Sequence, residues 1–224
     1  MSDDTFHDYD PDAARQPQTT RYPGREVSVL YDRARCMHAA ECGRAGRSLF
    51  DGKRHKWIEP DNASPEEVAA VVARCPSGAL RLERGGQVVE EPGPAANTVL
   101  VSPDGPLFLR GTFEIDGAVH NRAALCRCGA SANKPYCDNT HVRLRFKDAG
   151  PVNSDAGEPP RGGKVTVTAF EGGPYEIAGP CTLVAASGRA ADTSETLWLC
   201  RCGNSGNKPY CDGSHNTKGF RSVE

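Results

Sequence analysis

Alternation of β-branched or aromatic residues with polar residues marks two similar stretches of the chain. The stretches Val99 to Asp116 (VLVSPDGPLFLRGTFEID) and Val165 to Val184 (VTVTAFEGGPYEIAGPCTLV) share this alternation, and each is interrupted at a Gly-Pro pair. Alternation with a period of two, broken by Gly and Pro, is typical of antiparallel strands joined by a tight turn. We therefore predict a β-hairpin or short meander in each stretch, and their similarity predicts a repeat.

One helix is predicted ahead of these stretches. Ser64 stands at the N-cap position, Pro65 at the first helical position and Glu67 three residues after the cap, which is the pattern of a capping box. An apolar stripe at helical spacing follows, formed by Val68, Val71 and Val72. The helix is expected to end near Arg74, because the Cys-Pro pair that comes next disfavours helical geometry.

Polar stretches rich in Pro and Gly divide the chain into three blocks. Residues 1–25 carry almost no aliphatic side chains and are interpreted as a mobile tail. Glu90–Asn97 and Asp148–Gly163 lack apolar periodicity and are interpreted as linkers. The remaining blocks, 26–90, 98–148 and 164–224, each hold a group of cysteines.

Composition narrows the class of protein. The chain has 224 residues, a net charge of −2 and a pI near 6.3, which argues against binding to nucleic acid or to an anionic membrane surface. No stretch is long and apolar enough for a membrane-spanning helix. The first residues, MSDDTFHDYD, are acidic and do not resemble a secretory signal. These features predict a cytoplasmic protein.

Ten cysteines are the main chemical feature. In a reducing compartment, clustered cysteines are more often metal or redox ligands than disulfide partners. Two clusters share one spacing, Cys-x-Cys, eight residues, Cys, three residues and His: Cys126, Cys128, Cys137 and His141, then Cys200, Cys202, Cys211 and His215. Cys181 belongs to no spaced cluster and is interpreted as a small buried hydrophobic residue.

Three thiolates and one imidazole suit either a tetrahedral zinc ion or a two-iron cluster. Zinc sites usually have two to four residues between paired cysteines. The single residue between the first two cysteines keeps both thiols close together, which suits two bonds to one iron. The spacing therefore favours iron over zinc.

The string Cys-x-Cys…Ser…Pro-x-Cys-Asp-Gly-Ser-His in the last block resembles the CDGSH-type (NEET-like) iron–sulfur proteins. This resemblance implies that each set of three Cys and one His holds a [2Fe–2S] cluster. Asn139-Thr140 stands where the family has Gly-Ser. Because Asn tolerates left-handed backbone geometry, we expect the turn to be preserved. Proteins of this type form β-rich homodimers, which implies that two repeats in one chain form an intramolecular pseudo-dimer.

A third constellation lies in the first block, where Cys36 and Cys42 precede a remote Cys75-Pro76 pair. The spacing is that of a bacterial ferredoxin run in which the middle cysteine is replaced by Ala39. The block resembles the divergent single-cluster ferredoxin domains often fused to CDGSH-type repeats. Three thiolates suit a [3Fe–4S] cluster, or a [4Fe–4S] cluster with His38 as fourth donor. The alternative is that His38 is a surface side chain. The predicted fold class is therefore α+β, a small ferredoxin-like domain followed by two β-rich repeats.

Residues beside the ligands have predicted roles as well. The aspartates after the third cysteine of each set, Asp138 and Asp212, are expected to accept hydrogen bonds from loop amides. The serines of the intervening loops, Ser131 and Ser205, are expected to donate to cluster sulfur. The arginines between the paired thiols, Arg127 and Arg201, are expected to point to solvent.

The leading functional hypothesis is one-electron transfer or redox sensing, with an unidentified redox partner. A second hypothesis is cluster storage and transfer to an apo-protein acceptor, and a third is a structural zinc-binding interaction module. No nucleophile–base pair, phosphate loop or carboxylate dyad is evident, so we do not expect an enzyme. The histidine ligands are expected to raise the reduction potential relative to all-Cys ligation and to make the clusters labile in mild acid.

Overall fold

The computed structural model of the protein describes residues 19–91 and 94–222. Its N-terminal part is an antiparallel sheet with strands in chain order: β1 (Thr19–Tyr22), β2 (Ser28–Asp32), β3 (Leu80–Arg84) and β4 (Gln87–Val88). Two helices accompany it: α1 (Glu41–Ala45) and α2 (Pro65–Ala73). Because β1 pairs with β2, the interpretation of residues 19–22 as part of a tail is wrong. Residues 1–18 of that tail lie outside the described residues.

Helix α2 begins and ends as its sequence predicts. The Ser64 hydroxyl accepts a hydrogen bond from the Glu67 amide, and the Glu67 carboxylate accepts one from the Ser64 amide. Arg74 is the C-cap. The predicted valine stripe is buried and packs in one apolar core with residues of β2, β3 and the connecting loops. The helix is nine residues long, and no helix in residues 19–91 and 94–222 could cross a membrane.

The rest of the chain builds a second, eight-stranded sheet. The first repeat supplies β5 (Asn97–Val101), β6 (Leu107–Ile115) and β7 (Ala118–Leu125). The second repeat supplies β8 (Val165–Ala169), β9 (Tyr175–Ala178), β10 (Cys181–Val184), β11 (Ala190–Asp192) and β12 (Thr196–Leu199). The strand order is β11-β10-β5-β6-β8-β9-β12, with β7 beside β6. Two short helices, α3 (Thr140–Arg143) and α4 (Ser214–Thr217), follow the cysteine loops.

The predicted hairpins are present, and the two repeats also exchange strand partners. β5 pairs antiparallel with β6, and β8 pairs antiparallel with β9. The outer end of β6 then runs parallel to β8, with Phe113 opposite Val165, while β10 runs parallel to β5, with Cys181 opposite Asn97. The first strand of each repeat therefore lies beside a strand of the other repeat, and a single apolar core fills the sheet.

Asn97 fixes the junction between the repeats, although the sequence places it at the end of a linker. Its side-chain amide donates to the carbonyls of Gly163 and Pro180, each at 2.9 Å, and its oxygen accepts from the Thr112 amide at 2.7 Å. Gly111, with φ +138°, passes so close that a Cβ there would lie 2.2 Å from the Asn97 oxygen. Because the buried Asn97 side chain both donates and accepts hydrogen bonds, it fixes the relative position of the strands from the two repeats.

Candidate metal centres

The first predicted ligand set lies in a loop held between β7 and α3. The loop closes on the strand end through hydrogen bonds from the Cys126 amide to the Pro135 carbonyl and from the Cys137 amide to the Ala124 carbonyl. Asn139 then takes a left-handed conformation, φ 73°, as predicted, and the chain enters α3. This short helix turns His141 back toward Cys137, with Nδ1 3.3 Å from the sulfur.

The second set repeats this construction between β12 and α4. The Cys200 amide donates to the Pro209 carbonyl, and the Cys211 amide donates to the Trp198 carbonyl. Gly213 occupies the left-handed position, with φ 84°. His215 Nδ1 lies 3.4 Å from the Cys211 sulfur. Similar sequences therefore give the same arrangement of donors twice.

Within each set the four donors are grouped as two pairs. The sulfurs of Cys126 and Cys128 lie 3.8 Å apart, as do those of Cys200 and Cys202. Two sulfurs bound tetrahedrally to one metal at about 2.3 Å lie about 3.8 Å apart. The other pair in each set is the Cys–His contact. Within residues 19–91 and 94–222, no three His, Cys, Asp or Glu side chains are arranged around one ion.

Burial and the contact between neighbouring sulfurs shift the pKa values of the predicted ligands. In the Cys126–Cys128 pair, the hydrogen bond between the sulfurs lowers the pKa of one thiol and raises the pKa of the other. The Cys200–Cys202 pair behaves in the same way. Burial also raises the pKa of Cys137 to about 12 and lowers the pKa of His141. The ligating forms are the neutral imidazole and the thiolate, so metal binding at these sites releases the thiol protons.

The predicted role of the aspartates is confirmed, whereas that of the serines is wrong. In the first repeat, Asp138 accepts hydrogen bonds from the amides of Ala132 and Thr140, both at 2.9 Å, and Asp212 does the same in the second repeat. The Ser131 hydroxyl donates to the Tyr136 carbonyl at 2.6 Å and accepts from a loop amide. Its single proton is used within the loop, which explains why it is not directed at a sulfur.

The arginines between the paired cysteines are buried, contrary to the prediction that they point to solvent. Arg127 donates to the carbonyls of Gly105 and Ser102 and forms an ion pair with Asp148 at 2.9 Å. Arg201 donates to the Phe170 carbonyl and the Ser222 hydroxyl. Each arginine lies in the bend that follows its strand, two residues after a buried leucine of that strand, Leu125 or Leu199. Cys181, as predicted, is a buried core residue.

The two ligand loops touch each other. Gly129 and Gly203, with φ +80° and +77°, follow the paired cysteines, and a Cβ at Gly129 would lie 2.5 Å from the Cys202 carbonyl oxygen. A Cβ at Gly203 would lie 2.6 Å from the Cys128 carbonyl oxygen. Only glycine allows this reciprocal approach in a left-handed conformation. The two candidate centres are therefore neighbours across the junction of the repeats.

The N-terminal ligand set surrounds a separate cavity of about 520 Å³, lined by all three predicted cysteines, Cys36, Cys42 and Cys75. Burial raises the pKa of Cys42, and nearby Cys36 and Cys75 thiolates raise it further. Trp57 closes one side and makes an edge-to-face contact with Tyr31 at 5.0 Å between ring centroids. Three cysteines lining one cavity of this size suit a multi-iron cluster.

Two histidines also line this cavity, and both side chains are exposed. His38 has φ 53° in the loop after Cys36, and His55 lies in the loop before Trp57. The sequence predicts His38 as a possible fourth donor, but His55 stands far from every cysteine and gives no spacing signal. Ala39, at the position of the missing cysteine, lines the same cavity.

Family models for iron-binding domains match the three regions of the chain that contain these cysteines. The family model described as "Divergent 4Fe-4S mono-cluster" matches residues 22–85. The model described as "Iron-binding zinc finger CDGSH type" matches residues 104–142 and 172–216. "Uncharacterized protein YjdI" of Escherichia coli (strain K12) is 40% identical over 60 residues, which are 27% of this chain and 79% of that protein. The protein of that name from Escherichia coli O157:H7 gives the same values.

The donor sets, their burial and these matches define an iron–sulfur cluster-binding protein. The chain belongs to the CDGSH-type iron–sulfur proteins and carries a divergent 4Fe-4S mono-cluster domain ahead of two CDGSH repeats. Its fold is mixed, with mostly strands and short helices.

Proposed function

We propose that the protein is a one-electron carrier with three iron–sulfur centres and no catalytic site of its own. Each CDGSH repeat holds a [2Fe–2S] cluster through its three Cys and one His. Cys36, Cys42 and Cys75 hold a [3Fe–4S] cluster, or a [4Fe–4S] cluster with His38 as fourth donor. When bound, such clusters take up and release single electrons.

The grouping of donors into pairs carries this proposal. A pair of sulfurs 3.8 Å apart suits two bonds to one metal, and a separate Cys–His pair suits a second metal beside it. Two metals share four protein donors in a two-iron cluster, whereas one zinc ion needs all four around a single point. The pairing therefore supports iron–sulfur ligation over a structural zinc site.

Contact between the sites supports electron transfer as the role. The two ligand loops meet through Gly129 and Gly203. The hydroxyl of Tyr175, a fully buried residue of the second repeat, donates to the Cys126 carbonyl at 2.9 Å. Met37, beside Cys36, shares an apolar cluster with Cys137 of the first repeat. These contacts support the proposal that clusters in the neighbouring loops exchange electrons within one chain.

The exchanged strand pairing supports a finer proposal about the fold. We infer that the two repeats are the intramolecular equivalent of a dimer, since β6 with β8 and β10 with β5 are equivalent parallel pairs. Each pair joins one repeat to the other. A single chain then carries two neighbouring sites without a second copy.

Cluster delivery to an apo-protein is the second candidate function, and one observation favours it for the second repeat. His141 is buried, 8% exposed, whereas His215 is only partly buried. A more accessible histidine ligand is more readily displaced by a donor from another protein. Delivery would therefore begin at the second repeat.

Metal and sulfide analysis of anaerobically purified protein tests the proposal, together with visible and EPR spectra and voltammetry. We expect reversible reduction and about seven or eight irons per chain with matching sulfide. About four irons would leave the N-terminal site without a cluster. Zinc without sulfide would overturn the proposal. Appearance of the cluster spectrum on an added apo-ferredoxin, with loss from this protein, would support delivery instead.

A further inference from the structure

The N-terminal domain and the first repeat meet along a buried seam that runs through their ligand loops. Met37, next to Cys36, is 7% exposed and forms one apolar cluster with Ala124 and Cys137. Ala39 and Phe108 pack against this cluster. A residue adjoining one ligand of the N-terminal site is thus packed in the same cluster as a ligand of the first CDGSH site.

Arg35 forms the second part of the seam, on the other side of Cys36. Its Nη2 donates to the Arg122 carbonyl at 2.7 Å and to the Ser77 carbonyl at 3.2 Å. Its guanidinium also lies 5.7 Å from the ring centroid of Tyr136, the residue before Cys137. The side chain is buried in the contact between the domains, and the two carbonyls that accept from it come one from each domain.

Arg122, on β7 of the first repeat, holds the third N-terminal ligand. Its Nη1 donates to the carbonyls of Val72 and Ala73, at 3.0 and 2.9 Å, and to that of Cys75. The last carbonyls of a helix have no partner within the helix, and a cation there is favourable. Gly78 packs so closely that a Cβ would lie 2.6 Å from the Arg122 carbonyl oxygen. The Cys75 turn is therefore attached to the first repeat.

The second repeat differs from the first at the positions that contact the N-terminal domain. The bridges Leu125 to Tyr136 and Leu199 to Tyr210 align the two repeats, so that Thr196 corresponds to Arg122 and Trp198 to Ala124. Thr196 is exposed, and Trp198 is 45% exposed and stacks on Phe170. A large indole takes the place of the small residue against which Met37 packs.

We propose that the N-terminal centre and the first CDGSH centre are coupled in how firmly they bind their clusters. Arg122 is the positioning residue for Cys75 in this pair. The second CDGSH centre is not part of the pair. This inference rests on the proposed function, because it concerns how firmly the iron–sulfur sites hold their clusters. Coupling between binding sites is reciprocal. A filled site on either side of the seam therefore strengthens retention at the other.

Alkylation of Cys75 tests the positioning role directly in the full-length protein as purified. We expect Arg122→Ala to speed reaction of Cys75 with iodoacetamide about tenfold, measured by mass spectrometry of the modified peptide, a factor equivalent to about 1.4 kcal/mol. Arg122→Lys, which keeps the charge, should restore part of the protection. The matched control Thr196→Ala should leave the rate within about twofold. An Arg122→Ala rate within about twofold of the parent would overturn the role of Arg122.

Removal of one histidine ligand at a time tests the coupling with Arg122 intact. We expect His141→Ala to speed loss of the N-terminal EPR signal to an iron chelator about tenfold, and His215→Ala to leave that rate within about twofold. Equal effects of the two substitutions contradict the coupled pair. Absence of iron and sulfide in the parent protein overturns the proposed function. The alkylation rates of Cys75 test the role of Arg122 at the seam whether or not a cluster is bound.

Discussion

Replacing Arg127 by Met should destabilise the protein more than any single change at its surface. The Arg127 side chain is fully buried, and its partner Asp148 is 5% exposed. Met keeps most of the side-chain volume but removes the charge. The substitution therefore leaves the Asp148 carboxylate buried without its cation, and it leaves two loop carbonyls without their donor.

Removing one partner of a buried ion pair lowers the free energy of unfolding by about 3–5 kcal/mol, and we expect a loss of this size. For a chain of this size, each 1 kcal/mol shifts the unfolding temperature by roughly 2–4 °C, so we expect a decrease of about 6–20 °C. Thermal unfolding of the iron-loaded protein at one scan rate, followed by tryptophan fluorescence and by cluster absorption, measures this difference.

Two further variants test whether the buried ion pair is the cause of the lost stability. Lys147→Met removes a surface ion pair with Asp104, in which the lysine side chain is 79% exposed, and should cost at most about 1 kcal/mol. Adding Asp148→Asn to Arg127→Met removes the unpaired charge and should recover part of the stability. A decrease in unfolding temperature for Arg127→Met no larger than for Lys147→Met would refute the argument.

Three other outcomes are expected. Burial lowers the pKa of His141, so the folded protein binds that proton less readily than the unfolded chain and is destabilised as pH falls below about 6.5. His141→Cys and His215→Cys should then move loss of iron to lower pH, and an unchanged midpoint in a pH titration of cluster absorbance would contradict this. Gly129→Ala should lower the urea midpoint more than Gly117→Ala, because both have φ near +80° but only the first meets a neighbouring carbonyl; equal midpoints would show that the loop contact is unimportant. Cys181→Ala should keep the full iron content, which an iron assay checks, since this thiol lies in the core.

The sequence alone determined the chemistry of this protein. Ligand spacing is local, and a loop with Cys-x-Cys, a following Cys and a His one helical turn later brings its donors together wherever it is placed. The capping box of α2 is equally local, and both caps of that helix form as predicted. The strand alternation likewise predicted both hairpins, because period-two burial is a property of one strand and one sheet face.

The direction of Arg127 and Arg201 could not be read in this way. An arginine between two ligands looks like a solvated side chain until the core behind the loop is known. In this fold that core supplies Asp148, backbone carbonyls and aromatic rings that satisfy the charge. The residues that contact each guanidinium are distant in sequence, so no local pattern predicts these contacts.

Only the tertiary structure decided how the three sites are related. Strand exchange between the repeats depends on pairing across more than fifty residues. A hydrophobic pattern predicts that a segment forms a strand, but it does not identify the neighbouring strand. The seam of Met37, Arg35 and Arg122 joins segments that are equally remote in the chain. Spacing within a loop fixes which atoms can bind a cluster. Packing between domains fixes which clusters lie side by side, because it depends on surfaces that exist only after each part has folded.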